Sequence, residues 1–160
     1  MNNPYTPPGS PVRDPPESKP RSTLGAVLLG LVVDVGATML LSVVVTSAFA
    51  MFFGPSDAKA EDIAAALQGS SGFQLISMVG GLSCTVLGAY VAARFANRAE
   101  YATAFAVGVA SLVFSEATLI ALASDVPLWE RLIGDLLVIP AAIVGGHLRF
   151  LQKHPAPQKA

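Results

Sequence analysis

The stretch IAAALQGSSGFQLISMVGGLSCTVLGAYVAA, residues 63–93, contains 31 consecutive residues without an Asp, Glu, Lys or Arg. A second run with the same property extends over the 22 residues 35–56. Because a helix needs about 20 apolar residues to cross the hydrocarbon core of a bilayer, each run is long enough for one crossing. Only 13% of the 160 residues are charged, whereas soluble domains average about 25%. The sequence therefore excludes a soluble domain and predicts an all-α, membrane-embedded protein.

Four apolar segments predict a membrane-embedded four-helix bundle with short loops, which occupies residues 23–152. The predicted spans are residues 24–53, 73–95, 101–122 and 128–151. A polar connector at residues 54–72 separates the first two spans, and its early acids followed by alanines are typical of a short helix. Only the turns ANRAE and ASDVP separate the later spans. The last two spans therefore form a hairpin of two long apolar arms.

Polar tails are predicted at both ends of the chain. The first 20 residues contain seven prolines and too few apolar groups to offset the entropy lost on ordering. We therefore predict that residues 1–22 form a disordered, Pro-rich cytoplasmic tail and that residues 153–160 form a short basic tail. The segment TPPGSP fits either a flexible leader or a ligand for a proline-binding groove.

Lys and Arg are distributed unevenly between the two predicted membrane faces. Eight of the ten lie in the N-terminal tail, in the turn between the second and third spans, or close to the C-terminus. The other two, Lys59 and Arg131, belong to the opposite face. Since Lys and Arg concentrate in cytoplasmic loops, the sequence predicts a multi-pass protein with both termini in the cytoplasm.

Small residues recur along the second predicted span in two adjacent rows. The rows are Gly80, Cys84, Gly88, Ala92, Ala96 and Gly81, Thr85, Ala89, Ala93. Membrane helices associate through close packing and hydrogen bonds, which small side chains favour. We therefore predict that these rows pack against another helix, and that they offer a surface to a second copy or to another membrane protein. Cys84, the only cysteine, is interpreted as a packing residue.

Three carboxylates interrupt the apolar spans: Asp34, Glu116 and Asp135. Because a charge at the bilayer centre costs about 2.5–3.5 kcal/mol on insertion scales, each is a candidate ion or proton site. Asp34 belongs to a stripe of small and polar residues that begins at Gly30, so its side chain is predicted to point into the bundle. At a rise of about 1.5 Å per residue it lies close to the membrane midplane. It is either protonated in an interhelical hydrogen bond or a working proton or cation site.

The other two carboxylates are predicted at similar depth in the outer half of the membrane, where they share a proton if they face each other. Arg131 stands one helical turn before Asp135, which predicts an ion pair within one helix. Glu116 has no basic residue within four positions and is either buried in protonated form or functional. Pro140 leaves the carbonyl of Leu136 without its helical partner, so a kink is predicted there.

The chain offers no constellation that indicates catalysis or cofactor binding. The glycines never form a nucleotide-binding loop, and His147 and His154 lie seven residues apart with no other metal-ligand spacing nearby. A net charge of −1 gives no reason to expect nucleic acid as a partner. We therefore predict no catalytic, cofactor-binding or metal-ligating residues, no cofactor, and no enzymatic activity.

The segment GGLSCTVLGAYVAARFANRAEYATAFAVGVASLV, residues 80–113, contains the pattern G-x-Y-x-A-x-R followed by a short turn and a glycine-bearing helix. The pattern consists of Gly88, Tyr90, Ala92 and Arg94, with Gly108 in the next helix. In this it resembles small bacterial inner-membrane proteins of uncharacterised function. The resemblance implies a location in the bacterial plasma membrane and four spans, and it implies no activity.

Two functional hypotheses remain, and both take the lipid bilayer as the surroundings of the chain. In the first, the chain is a non-catalytic interaction or assembly component of the bacterial inner membrane that contacts its partner through the second span. In the alternative, it is a small oligomeric proton- or cation-linked transporter or channel that uses Asp34 and Glu116. An enzyme that acts on lipid is disfavoured by the scarcity of polar groups.

Overall fold

All regular structure in the described part of the chain is α-helical. The computed structural model describes residues 22–53, 59–96, 99–122 and 126–154. Its helices are α1 Thr23–Phe53, α2 Ala60–Gln68, α3 Ser71–Ala96, α4 Glu100–Ala121 and α5 Leu128–Lys153. Helices α1, α3, α4 and α5 are each long and apolar enough to cross a membrane. The prediction of an all-α chain with four such helices is confirmed.

Predictions for the two tails lie almost wholly outside the described residues. The structure does not describe residues 1–21 and 155–160. At the C-terminal end α5 extends through Lys153, which the sequence assigned to the basic tail. The short helix predicted in the polar connector is present as α2.

Contacts along the helices define their relative directions. The start of α1 packs against the end of α3 at Gly30 and Gly88, and the start of α4 packs against the end of α5 at Glu100 and Lys153. Each of these two pairs is therefore antiparallel. Helices α3 and α4 contact each other and both α1 and α5, whereas α1 and α5 do not contact each other over their described residues. The four long helices thus form a bundle with α3 and α4 at its centre.

Within the four long helices, the described buried residues occupy only one half of the bundle, which we call the closed half. It contains the start of α1, the end of α3, the start of α4 and the end of α5. Its core is the cluster Ala89, Ala92, Ala104, Val107 and Ala142. In the long helices the described buried residues lie within 26–34, 84–96, 103–111 and 142–146. The remaining half, which we call the open half, contains the end of α1, the start of α3, the end of α4 and the start of α5.

Glycines allow the helix backbones of the closed half to approach closely. A Cβ on Gly88 would lie 2.6 Å from the carbonyl oxygen of Gly30. On α5, a Cβ at Gly145 would clash with the backbone of α3 at Val86, and a Cβ at Gly146 would lie 2.7 Å from the Cβ of Ala104 on α4. Because Cβ atoms are not tolerated at such distances, glycine at these positions is what lets the helices touch through their backbones.

The small residues predicted on α3 have different environments along the helix. Gly88, Ala92 and Cys84 are buried, and Gly88 and Ala92 lie against Gly30 of α1. Gly80 faces only the flexible end of the Leu41 side chain, and Gly81 has no heavy atom within 4 Å of its Cβ direction. The C-terminal part of both rows is therefore taken up by contacts within the chain.

Helix α5 is continuous through Pro140, which is solvent- or lipid-accessible on the bundle surface. Because proline has no backbone N–H, the carbonyl of Leu136 lacks its helical donor. The kink proposed for this position stays a prediction.

Candidate ion site at Asp34

Asp34 lies at the boundary between the closed and open halves. It is the twelfth of the 31 residues of α1, one helical turn after Gly30, and only 5% of its surface is exposed. A Cβ on Gly88 would lie 2.9 Å from the Cβ of Asp34. The absence of a side chain at Gly88 therefore brings the backbone of α3 directly against this carboxylate-bearing turn of α1. The predicted inward orientation of Asp34 agrees with this burial.

Two hydroxyl groups from two other helices donate hydrogen bonds to the Asp34 carboxylate. Thr85 on α3 donates to Oδ1 at 3.1 Å and lies 3.4 Å from Oδ2. Ser111 on α4 donates to Oδ2 at 2.5 Å. Both donors are themselves buried. The carboxylate thus joins α1, α3 and α4 through one hydrogen-bonded group.

The Thr85 hydroxyl has a second acceptor within reach. Its Oγ1 lies 3.3 Å from the carbonyl oxygen of Gly81, so its single proton can be donated either to Asp34 or to that carbonyl. When it is donated to Gly81, a lone pair of Oγ1 can accept a hydrogen bond from the O–H of a neutral Asp34. The site can therefore satisfy the carboxyl group in both its ionised and its protonated form.

A cavity of about 460 Å³ extends from Asp34 into the open half, between all four long helices. Hydroxyl groups are the commonest polar groups in its wall. They belong to Thr38, Ser77, Thr85, Ser111, Ser115 and Thr118. Among the described residues, the charged groups in the wall are Asp34, Asp135 and Arg131. Because the closed half is tightly packed, Asp34 stands at the blind end of this cavity.

Glu116 and Arg131 form an ion pair that links α4 to α5 in the open half. Arg131 Nε donates to Oε1 of Glu116 at 2.9 Å, and Nη2 donates to Oε2. This two-point contact uses the planar fork of the guanidinium, which matches the spacing of two carboxylate oxygens. Both side chains are half-buried.

The prediction that Arg131 pairs with Asp135 is wrong. A pair four residues apart on one helix offers a point contact on a helix surface, whereas Glu116 on the facing helix presents both oxygens to the guanidinium fork. Glu116 is therefore not isolated, and its carboxylate is paired with Arg131. Among the described residues neither Asp34 nor Asp135 forms an ion pair.

Sequence reasoning missed Thr85 and Ser111 as partners of Asp34. Thr85 was noted only as a small residue in the second row of α3, and Ser111 was not singled out. A usable signal does exist, because Ser111 follows Val107 and Thr103 at four-residue spacing on α4. All three are buried, so they belong to the inward face of that helix.

Further polar contacts tie the helices together at the closed end. Tyr101 and His147 share a hydrogen bond of 2.7 Å, the Tyr90 hydroxyl donates to Gln152 at 2.7 Å, and Lys153 pairs with Glu100 at 2.8 Å. These contacts connect α3 and α4 to α5. We assign them to the structure of the bundle.

Asp34, Thr85 and Ser111 supply only oxygen atoms, which suit a proton or a hard cation. In the described ranges there is no group of three or more His, Cys, Asp or Glu residues that could hold a metal ion. The chemistry available at this site is therefore reversible binding of positive charge.

Comparison of the chain with protein-family models, with curated proteins and with solved structures gives no match. The resemblance to small inner-membrane proteins stays a prediction. The functional argument therefore rests on the geometry of the bundle.

Proposed function

We propose that the chain is a multi-pass protein of the bacterial inner membrane that binds a proton or a cation at Asp34 and couples this binding to transport. The observation that carries the proposal is the position of Asp34. Its carboxylate is buried, receives hydroxyl hydrogen bonds from two other helices, and ends a cavity of about 460 Å³. A buried carboxylate is expensive inside a membrane, and no ion pair offsets that cost within the described residues.

The role that the sequence hypothesis gave to Glu116 is different in this proposal. Because Arg131 holds both of its oxygens, Glu116 is a structural partner and is not available to carry ions. Asp135 replaces it as the second carboxylate of the cavity wall.

The distribution of basic residues supports an orientation for the cavity. Arg94, Arg149 and Lys153 belong to the closed end, whereas Lys59 and Arg131 belong to the open end. With the closed end in the cytoplasm, as the excess of Lys and Arg favours, the cavity opens toward the outer side. Asp34 then binds positive charge from that side.

The hypothesis of an interaction or assembly component, non-catalytic and without a cofactor, stays a prediction. The small-residue rows on α3 support it, together with the short loops, the predicted disordered tail and the lack of a catalytic constellation. Gly88 and Ala92 of these rows contact α1, and Ala89 lies at the Gly145 contact with α5. The C-terminal parts of the rows are thus accounted for within the chain, and this supports the transport hypothesis.

The test is ion flux in vesicles that contain the purified full chain. Wild-type protein is expected to admit protons or monovalent cations down an imposed gradient, and Asp34→Asn is expected to reduce this flux to the level of protein-free vesicles. Asparagine keeps the size of the side chain and one of its two acceptor oxygens, and the serine and threonine hydroxyls can accept a hydrogen bond from its amide, so the bundle should stay intact. Asp62→Asn on the exposed surface of α2 is the matched control. Equal flux in wild type and Asp34→Asn would refute the proposal.

A further inference from the structure

The cavity is far larger than a bare ion requires. Its volume of about 460 Å³ lies within the range of about 300–1,000 Å³ that is typical of sites for small organic molecules. A proton or a dehydrated monovalent cation at Asp34 would leave most of this space unfilled. The size of the cavity therefore indicates a molecule with several apolar groups.

The walls of the cavity away from Asp34 are predominantly apolar. They include Met39, Met78, Leu82, Phe114, Leu119 and Val138. Methionine side chains are flexible and polarisable and adapt to differently shaped ligands. An aromatic ring such as that of Phe114 attracts a cation placed over its face. These walls favour apolar substituents around a positive centre.

The charges of the cavity select for cations. Arg131 is the only basic side chain among the described residues of its wall, and that guanidinium is neutralised by Glu116. Asp34 and Asp135 have no such partner among the residues that the structure describes. A positive ligand is therefore attracted toward the blind end, and an anion of the same shape is repelled.

We propose that the cavity binds a lipophilic organic monocation, with its positive centre at Asp34 and its apolar groups against the methionine and phenylalanine side chains. The inference rests on the proposed function, because it assigns a substrate class to the same site. The absence of contact between the described parts of α1 and α5 leaves the cavity open between these two helices. Such an opening suits a ligand that partitions into lipid before it binds.

Two ions of the same size and shape test this inference. Tetraphenylphosphonium is positive and tetraphenylborate is negative, so they differ mainly in charge. Equilibrium dialysis of each ion against the purified full chain in detergent, with protein-free micelles as the blank, measures saturable binding. Tetraphenylphosphonium is expected to bind saturably at one per chain, and tetraphenylborate is expected to show no saturable binding. Asp34→Asn is expected to weaken tetraphenylphosphonium binding by roughly tenfold or more.

A pair of glycine substitutions separates occupation of the cavity from adsorption to the helix surface. Gly134 lines the cavity, and a Cβ there meets no heavy atom within 4 Å. Gly134→Leu should therefore fill the cavity without a backbone clash and abolish binding. Gly36 is exposed outside the cavity and is equally uncrowded, so Gly36→Leu is the matched control. Unchanged binding in Gly134→Leu, or equal binding of the two probe ions, would overturn the inference.

The outcomes distinguish this inference from the proposed function. If tetraphenylphosphonium does not bind while Asp34→Asn abolishes ion flux, the organic-cation inference is wrong and the transport proposal stands. If tetraphenylphosphonium binds through Asp34 while flux is the same in wild type and Asp34→Asn, the cavity is a binding site and the transport proposal is wrong.

Discussion

Asp34 can be tolerated within the bundle because its surroundings are small and carry hydroxyl groups. Gly88 removes the side chain that would otherwise keep α3 away, and Thr85 and Ser111 then reach the carboxylate from two helices. A buried polar group that keeps its hydrogen bonds avoids the added cost of unsatisfied acceptors. The glycine contact and the hydroxyl contacts therefore depend on each other.

Gly88→Ala is expected to destabilise the bundle. The added methyl group would lie 2.6 Å from the Gly30 carbonyl oxygen, and because this oxygen belongs to a helix backbone it cannot move without shifting α1. Overpacking of this kind costs about 1–3 kcal/mol. The free energy of unfolding can be measured by adding SDS stepwise to the protein in detergent micelles.

Gly81→Ala provides the control for that measurement. It lies on the same helix, but its Cβ direction meets no heavy atom within 4 Å, so the substitution should leave the free energy of unfolding almost unchanged. Equal free energies of unfolding for Gly88→Ala and Gly81→Ala would show that α1 and α3 do not make this close contact.

The inward orientation of Asp34 was predictable, whereas its partners were not. Four-residue spacing from Gly30 places Asp34 on the small, polar face of α1, and this information is local to one helix. The pairing of Asp34 with Ser111 depends on how far α4 is shifted along α1, and no local pattern encodes that shift. The same limit explains the error at Arg131, for which the only partner visible along the helix was Asp135.

At the scale of helices, α4 and α5 are joined by ion pairs at both ends. Lys153 and Glu100 connect them at the closed end, and Arg131 and Glu116 connect them in the open half. Between these points Gly108 packs against Ala142. The hairpin of α4 and α5 is therefore held along its length.

Glu116→Gln is expected to lower the free energy of unfolding by about 1 kcal/mol, because it leaves the Arg131 guanidinium without its counter-charge and both side chains are partly exposed. Asp135→Asn is the matched control on the neighbouring turn of α5 and should have little effect. Both variants can be compared by unfolding in detergent micelles. A larger loss in Asp135→Asn would show that Arg131 binds Asp135.

The number and type of helices were predictable from apolar length alone, because a bilayer requires a minimum span and each long helix exceeds it. The division into a closed and an open half was not predictable from apolar length. It depends on where glycine and alanine from different helices meet, such as Gly145 of α5 at Val86 of α3. Each glycine is visible in the sequence, but its partner helix is not.

At the scale of the whole molecule, the two halves should differ in access to water-soluble reagents. In a Cys84→Ala background, Ser115→Cys on the cavity wall is expected to react with a small cationic thiol reagent added from the outer side. Thr103→Cys, at a position with 0% exposure in the closed half, is expected to stay unmodified. Labelling of the intact protein in vesicles, followed by mass spectrometry, measures both.

Denaturation in SDS supplies the control, since both cysteines should then react. Equal labelling of the two positions in the intact protein would contradict the division into halves. Labelling of Ser115→Cys only from the side of the termini would reverse the proposed orientation.

The tight packing of the closed half has an electrical consequence. In an energised membrane, water in the open half would carry the outer potential down to Asp34, so most of the voltage would fall across the short apolar layer beneath it. Moving one elementary charge through a full potential difference changes its free energy by about 2.3 kcal/mol per 100 mV. A positive ion released from Asp34 toward the cytoplasm would therefore gain much of the energy stored in the membrane voltage while passing only a few helical turns of glycine and alanine.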